Sequence, residues 1–189
     1  VMTDRWRLVN GEALFDIESD PGQKSNVAAA HPDVVETLRG EYDAWWDSFA
    51  DVHRATVRIG LGGAQASVPL MSHDWHEKTG PTPWHQNHVR RGTIANGTWA
   101  LDVGKAGDYE VTLFRWPAHL DRPMETEHAS IEWAAPGGVA QRRELSVEEG
   151  ATSASFTVRW AAGPVDLTTT LRRPGGEEHG AYFATVTAL

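Results

Sequence analysis

Between His73 and His88 the chain gathers side chains that bind, stack and titrate. His73, Asp74, Trp75 and His76 come first; beyond Gly80-Pro81-Thr82-Pro83 follow Trp84, His85, Gln86 and His88. Four of the nine histidines fall within these sixteen residues. The pairs His73/His76 and His85/His88 each repeat at three, with Asp74 beside the first, a spacing found among metal ligands. Gly80–Pro83 interrupts any continuous helix that would align the two pairs, so no metal is assigned. Imidazoles also anchor loops through hydrogen bonds. The segment could take a sugar, with Trp75 or Trp84 stacked on a pyranose while His76, His85 and Gln86 bond its hydroxyls. It could equally pack against a second domain and line that domain's pocket. A long polar loop with aromatics on a compact scaffold is a place where function concentrates.

Elsewhere the chemistry thins out. Glu125, Glu127 and Glu132 lie in one stretch, but their spacing does not set the ~5–9.5 Å separation that glycosidic cleavage needs. Arg115-Trp116 reads as a guanidinium stacked on an indole, with anion binding by Arg115 as the other reading. Asn96-Gly97-Thr98 is formally a glycosylation sequon and also an Asn-Gly turn ahead of a Trp-bearing strand. The absence of cysteine removes thiol nucleophiles, disulfides and zinc-thiolate sites. Net charge is −9, and no basic run exceeds the doublets Arg90-Arg91, Arg142-Arg143 and Arg172-Arg173. A nucleic-acid partner is therefore not expected, because neutralising phosphates needs a cationic footprint. No apolar run approaches the ~20 residues of a membrane-spanning helix. Nine tryptophans supply either large core fillers or aromatic platforms, each indole burying on the order of 200 Å².

The elements that must position these residues fall into two parts, 1–54 and 55–189. In the first, Arg5–Asn10 and Glu12–Ile17 flank Asn10-Gly11, a pair suited to the positive φ angles of a hairpin turn. A helix from Pro32 to Phe49 follows, with Val35, Leu38, Tyr42, Trp45 or Trp46, and Phe49 on one face. Pro32 suits the first turn and Asp33 complements its dipole. Leu38, Tyr42 and Trp45 or Trp46 are expected among the most buried residues. From about Ala55 the helical period stops. Short β-branched or aromatic segments succeed one another near 56–61, 66–71, 98–103, 109–116, 129–133, 141–145, 153–160, 165–172 and 181–187. Eight or nine such strands separated by turn signals predict an antiparallel two-sheet β-sandwich of the jelly-roll kind. The fold class is thus mostly β: a short hairpin plus helix, then the sandwich. The His73–His88 loop is expected irregular, at one end of that sandwich.

Two resemblances bear on these parts. Residues 1–50, with WRLVNGEALFDIESDPGQKSNVA running into HPDVVETLRGEYDAWWDSF, resemble the C-terminal end of sulfatases of the alkaline-phosphatase-like superfamily; Phe15 stands for the usual Tyr and Gln23 for the usual Glu. NGTWALDVGKAGDYEVTLFRW, ASFTVRWAAGPVDLTTTL and GAYFATVTAL are similar to strands of galactose-binding-like sandwiches. SHDWHEKTGPTPWHQNHVRRGTIANGTWALDV resembles a domain appended to bacterial arylsulfatases. The resemblance implies the C-terminal part of a sulfuric ester hydrolase whose N-terminal catalytic domain carries formylglycine and calcium. It also implies a periplasmic or secreted address and sulfated carbohydrate as a partner. The formylglycine motif C/S-x-P-x-R is not met here. Ser67-Val68-Pro69 is followed by Met71 and Ser19-Asp20-Pro21 by Gln23 where Arg is required. This chain alone is therefore expected to be inactive, completing the fold and pocket of its parent. The alternative is a carbohydrate-binding module that tethers the enzyme to polysaccharide. The chain opens at Val1-Met2-Thr3-Asp4 inside an expected strand and without a secretion signal, as a piece of a longer protein would.

Overall fold

Asn10 and Gly11 adopt φ of 53° and 70°, the left-handed pair that reverses a hairpin without splaying its strands. They join β1 (Trp6–Val9) to β2 (Ala13–Asp16), and the Glu12 N–H closes the turn on the Val9 carbonyl at 3.1 Å. Asp20 then caps the Pro21-Gly22 turn, its carboxylate accepting from the Lys24 and Ser25 amides at 2.7 and 2.8 Å. Asn26 ties the incoming chain to the sheet, its Oδ1 accepting from the Leu14 N–H at 3.0 Å. The helix α1 (Pro32–Asp47) begins with Pro32 and Asp33 in its first turn. It meets the hairpin through Val35 and Leu38, which form with Leu8 and Leu14 the buried core of this part.

Tyr42 and Trp45 correct the sequence expectation: they are 45% and 58% exposed. The reason is length. Four-residue strands span ~13 Å, whereas sixteen helical residues span ~24 Å, so the hairpin covers only the first turns of α1. The uncovered aromatics pack on one another instead, Trp45 with Phe49 at 4.6 Å and Trp46 with His53 at 4.7 Å between ring centroids. The helix also ends sooner than expected. Ser48 Oγ donates to the Trp45 carbonyl at 2.6 Å, and a separate short helix, α2 (Ala50–Arg54), follows.

This computed structural model describes residues 1–189, in two compact units, Val1–Ala55 and Thr56–Leu189. The second unit is a two-sheet β-sandwich. Its elements are β3 (Ile59–Leu61), β4 (Ser67–Met71), β5 (His76–Thr79), α3 (Gln86–Arg91), β6 (Asn96–Val103), β7 (Gly107–Phe114), β8 (His128–Ala134), β9 (Gln141–Ser146), β10 (Ala154–Trp160), β11 (Gly163–Arg172), β12 (Glu178–His179) and β13 (Phe183–Ala188). One sheet runs β10-β7-β13-β4; the other runs β3-β6-β11-β8-β9, with β5 on β6 and β12 on β11. All pairings are antiparallel save one: β3 lies parallel to β6, because the chain crosses to the other sheet as β4 before returning as β5. β3 and β5 therefore share one edge of β6, along Leu101–Val103 and Asn96–Thr98 respectively.

Alternation along the strands builds the core. β10 reads buried at Ala154, Phe156, Val158 and Trp160 and exposed between them, as one face of a pleated sheet must. Opposite it, Trp99, Leu101, Val103, Ile131, Trp133 and Leu167 close the same cluster. The Trp99 indole N–H donates to the Met71 carbonyl at 2.8 Å, linking the two sheets and satisfying a buried donor. No helix of the chain is long and apolar enough to cross a membrane.

Candidate functional site

The segment after β4 is more ordered than its sequence suggests. A 3-10 turn over Ser72–Asp74 places Ser72 in the interior, where its N–H reaches the Tyr182 carbonyl and its hydroxyl the Pro83 carbonyl, both at 2.8 Å. Strand β5 then carries His76 opposite Thr98 on the edge of β6. The Glu77 carboxylate crosses the loop to accept from the Thr82 N–H at 2.9 Å and its hydroxyl at 2.6 Å. Those two bonds hold its pKa below the ordinary carboxylate value. Gly80 sits at φ 67° under the Ile94 carbonyl, where a Cβ would collide. Gly80–Pro83 is thus fastened at both ends, and Pro83 is buried.

Trp84 emerges from this fastened loop. It is 67% exposed, while the five other tryptophans of the sandwich, at 75, 99, 116, 133 and 160, are 7% exposed or less. Its ring meets His85 and His88 edge-on, each at 5.6 Å between centroids with interplanar angles of 73° and 86°. Neither imidazole lies flat against the indole. His85 caps α3, its Nδ1 accepting from the Asn87 N–H at 3.1 Å; the ring proton therefore resides on Nε2, free to donate outward. Gly92 ends α3 in the left-handed conformation, φ 68°. The Tyr182 hydroxyl donates to the Thr93 carbonyl at 2.7 Å, anchoring that end; burial raises the Tyr182 pKa to about 12.

Of the residues expected from sequence, Trp84, His85 and Gln86 come together at the start of α3 and face solvent. His76 is exposed on β5. Trp75 is a correction: it is buried, and its ring packs against Trp99 at 5.7 Å and Tyr182 at 6.5 Å. Gly97 and Gly180 leave the room it occupies, since a Cβ on either would fall 2.5 Å and 2.7 Å from the Trp75 side chain. An indole so enclosed has no face for a pyranose. No group of three or more His, Cys, Asp or Glu side chains is placed to hold a metal ion; His85 and His88 lie 5.9 Å apart between ring centroids.

Sequence reasoning missed two features of this surface. Arg90 and Arg91 stand on the solvent side of α3, visible in the sequence only as a basic doublet. The outer face of the larger sheet carries many polar residues, with a depression of about 160 Å³ lined by Lys78, Thr98, Glu132, Asp166 and Thr168 together with Trp133, Ala134 and Ala140. Period-two alternation along β11 could have found the latter.

No protein-family model matches the sequence, and no curated relative matches it. Solved structures do. The GH26-CBM35 β-(1,4)-mannanase of Podospora anserina aligns with 66% of this chain at 12% identity and a TM-score of 0.37. The CBM35 from Cellvibrio japonicus Abf62 aligns with 65% at 16% identity and 0.38, and TmCBM61 in complex with β-1,4-galactotriose with 67% at 12% and 0.28. The alignments cover 93% of the isolated CBM35 and 81% of TmCBM61, but only 28% of the mannanase.

Proposed function

We propose that the Thr56–Leu189 sandwich is a carbohydrate-binding module that holds a catalytic domain on its polysaccharide. Trp84 is the stacking platform, and His85 and Gln86 bond the sugar's hydroxyls. One observation carries this reading: the sandwich buries five tryptophans and leaves the sixth exposed on a loop locked by Ser72, Glu77 and Pro83. A large aromatic face kept in water, and kept rigid, loses little entropy when a pyranose covers it. Polar groups on either side then set the orientation of the ring. Calorimetric titration of the full chain with neutral and charged oligosaccharides tests it. Binding that disappears in Trp84→Ala supports the reading, and no binding to any of a broad glycan array defeats it.

From the resemblance of residues 1–50 to sulfatase C-terminal ends we infer a second, compatible reading, in which the catalytic domain is a sulfatase-like hydrolase. The hairpin and helix bury only four side chains, Leu8, Leu14, Val35 and Leu38, which supports a need for a packing partner whatever its chemistry. Such a core is small for independent stability. The coding sequence upstream of Val1 tests this reading. A C/S-x-P-x-R motif there fits it, and an unrelated upstream domain excludes it. The purified chain alone should not hydrolyse 4-nitrophenyl sulfate.

A further inference from the structure

Resting on the carbohydrate reading, we propose that the outer face of the larger sheet is a second subsite, a furrow along β8 and β11 that takes further units of a neutral, hydroxyl-rich glycan chain. Its shape is the first ground. The depression of about 160 Å³ beside Glu132 and Thr168 is followed by another of about 150 Å³ beside Ser130 and Thr170. Glu132 pairs with Thr168 in the β8–β11 ladder, and Ser130 with Thr170. The two depressions therefore lie end to end, one outward-facing pair apart, or ~7 Å. From Asp166 to Arg172 the furrow follows β11 for ~20 Å, longer than one pyranose ring.

The second ground is a floor that the fold leaves unpaired. Ala129, Ile131 and Trp133 point into the core, so Ser130 and Glu132 between them point outward. Ser130 is nevertheless only 7% exposed, sunk between its ladder partners Thr170 on β11 and Glu144 on β9. Its hydroxyl is bonded to nothing in the protein and opens onto the furrow. The side chains of Thr170 and Glu132 are likewise free of protein partners. The walls, by contrast, are tied. The Lys78 ammonium donates to the Thr168 hydroxyl at 3.0 Å, and Arg142 pairs with Glu144 at 3.2 Å.

The third ground is the kind of group on offer. Three cations, Lys78, Arg142 and Arg172, stand among four carboxylates, Glu132, Glu144, Asp166 and Glu178. A ligand of either charge meets its own sign there. A neutral hydroxyl donates to the carboxylates and accepts from the cations, so it uses both. No aromatic ring offers a face: Trp133, at one end, is 6% exposed and belongs to the core. The furrow therefore holds its sugars by hydrogen bonds and depends on the Trp84 platform for attachment. The Trp84 segment leaves the furrow at Lys78 and returns to the sheet at Gly92, over which the Arg173 guanidinium packs, next to Arg172. A chain stacked on Trp84 can thus run on into the furrow.

Calorimetry on the full chain with β-1,4-linked gluco-, manno- and galacto-oligosaccharides, from disaccharide to hexasaccharide, tests the proposal. In the series that binds, affinity should rise about tenfold or more from the shortest to the longest. An oligogalacturonate of the same length should bind no better. Thr170→Val combined with Glu132→Ala should bring the hexasaccharide down to the affinity of the disaccharide and leave the disaccharide unaffected, whereas Trp84→Ala should weaken every length. On the parent chain, the amide resonances of β8 and β11 should shift with the hexasaccharide and stay in place with the disaccharide. Affinity that stops growing at the disaccharide, growth untouched by the double variant, or β8 and β11 resonances unmoved by the hexasaccharide overturns the furrow and leaves the Trp84 platform standing. Tighter binding of the oligogalacturonate overturns the neutral class. No binding by any oligosaccharide removes the carbohydrate reading and this proposal with it.

Discussion

Lowering the pH from neutrality to about 4 should remove on the order of 3 kcal/mol of stability from the Thr56–Leu189 sandwich through His179. The imidazole is fully enclosed, Nδ1 donating to the Gly180 carbonyl at 2.8 Å and the ring stacked on Tyr182 at 4.7 Å. Its Nε2 meets no partner. Burial is the main cause that lowers its pKa from 6.5 to about 4; Arg173 and Arg115 push the same way and the Gly180 carbonyl opposes them. In the folded chain the ring stays neutral down to that value, whereas in the unfolded chain it takes up a proton below 6.5. Across that interval the unfolded state binds more protons, so stability declines as pH falls and the loss is complete below about 4. With a urea m-value of ~2 kcal/mol/M, the midpoint should move by ~1.5 M. Urea unfolding of the full chain, read from hydrogen-exchange protection of the β11 amides, reports the sandwich itself. His179→Gln keeps an N–H for the Gly180 carbonyl and does not titrate, so its midpoint should change far less over the same pH range. Glu77 does not mimic the effect. Its pKa is depressed, so its contribution is present above the ordinary carboxylate value of 4.5 and fades only as pH drops beneath it. Equal losses in the parent chain and His179→Gln between neutrality and pH 5 would refute the reasoning.

Gly97→Ala and Gly180→Ala should each cost ~2 kcal/mol or more, because the new methyl meets the enclosed Trp75 ring system; calorimetric melting that leaves Tm unchanged would show that Trp75 is not clamped. Trp99→Phe should cost ~1–3 kcal/mol by taking the indole N–H from the Met71 carbonyl, seen as a lower urea midpoint with unchanged m. Leu38→Ala should destabilise the Val1–Ala55 unit by ~2–4 kcal/mol, whereas Trp45→Ala, on the exposed face of α1, should stay within about 0.5 kcal/mol. Protection of the β1 and β2 amides separates those two, and equal effects would contradict the placement of the helix.

The alternation of Tyr109 to Phe114 and of Phe156 to Trp160 was enough to locate β7 and β10, because each strand has one face in the core. β5 escaped notice since His76, Glu77, Lys78 and Thr79 are all exposed; a strand added to an edge with neither face buried leaves no periodic trace. α3 is six residues long, too short for a helical period to rise above composition. The assignment of Trp75 failed for a related reason. An indole among polar neighbours looks the same in sequence whether its ring turns inward or outward, and only Gly97 and Gly180, distant along the chain, decide it. Trp84 carried the same ambiguity and turned out. The expected burial of Tyr42 and Trp45 rested on the helix period alone, which says which residues share a face and not how far the covering sheet reaches.

β13 lies between β7 and β4, so the last strand of the sandwich fills an interior slot of its sheet. On the ribosome, β4 and β7 are made well before it, and until residues 183–188 emerge both carry an unpaired edge. At ~5–20 residues per second, the roughly seventy residues separating β7 from β13 keep those edges open for several seconds. Folding of the sandwich therefore waits on the synthesis of β13, and a chain cut before Phe183 would keep two open edges for good. Such a product is a target for edge-to-edge aggregation and for proteolysis, so integrity of β13 decides whether the sheet of β4 and β7 closes at all.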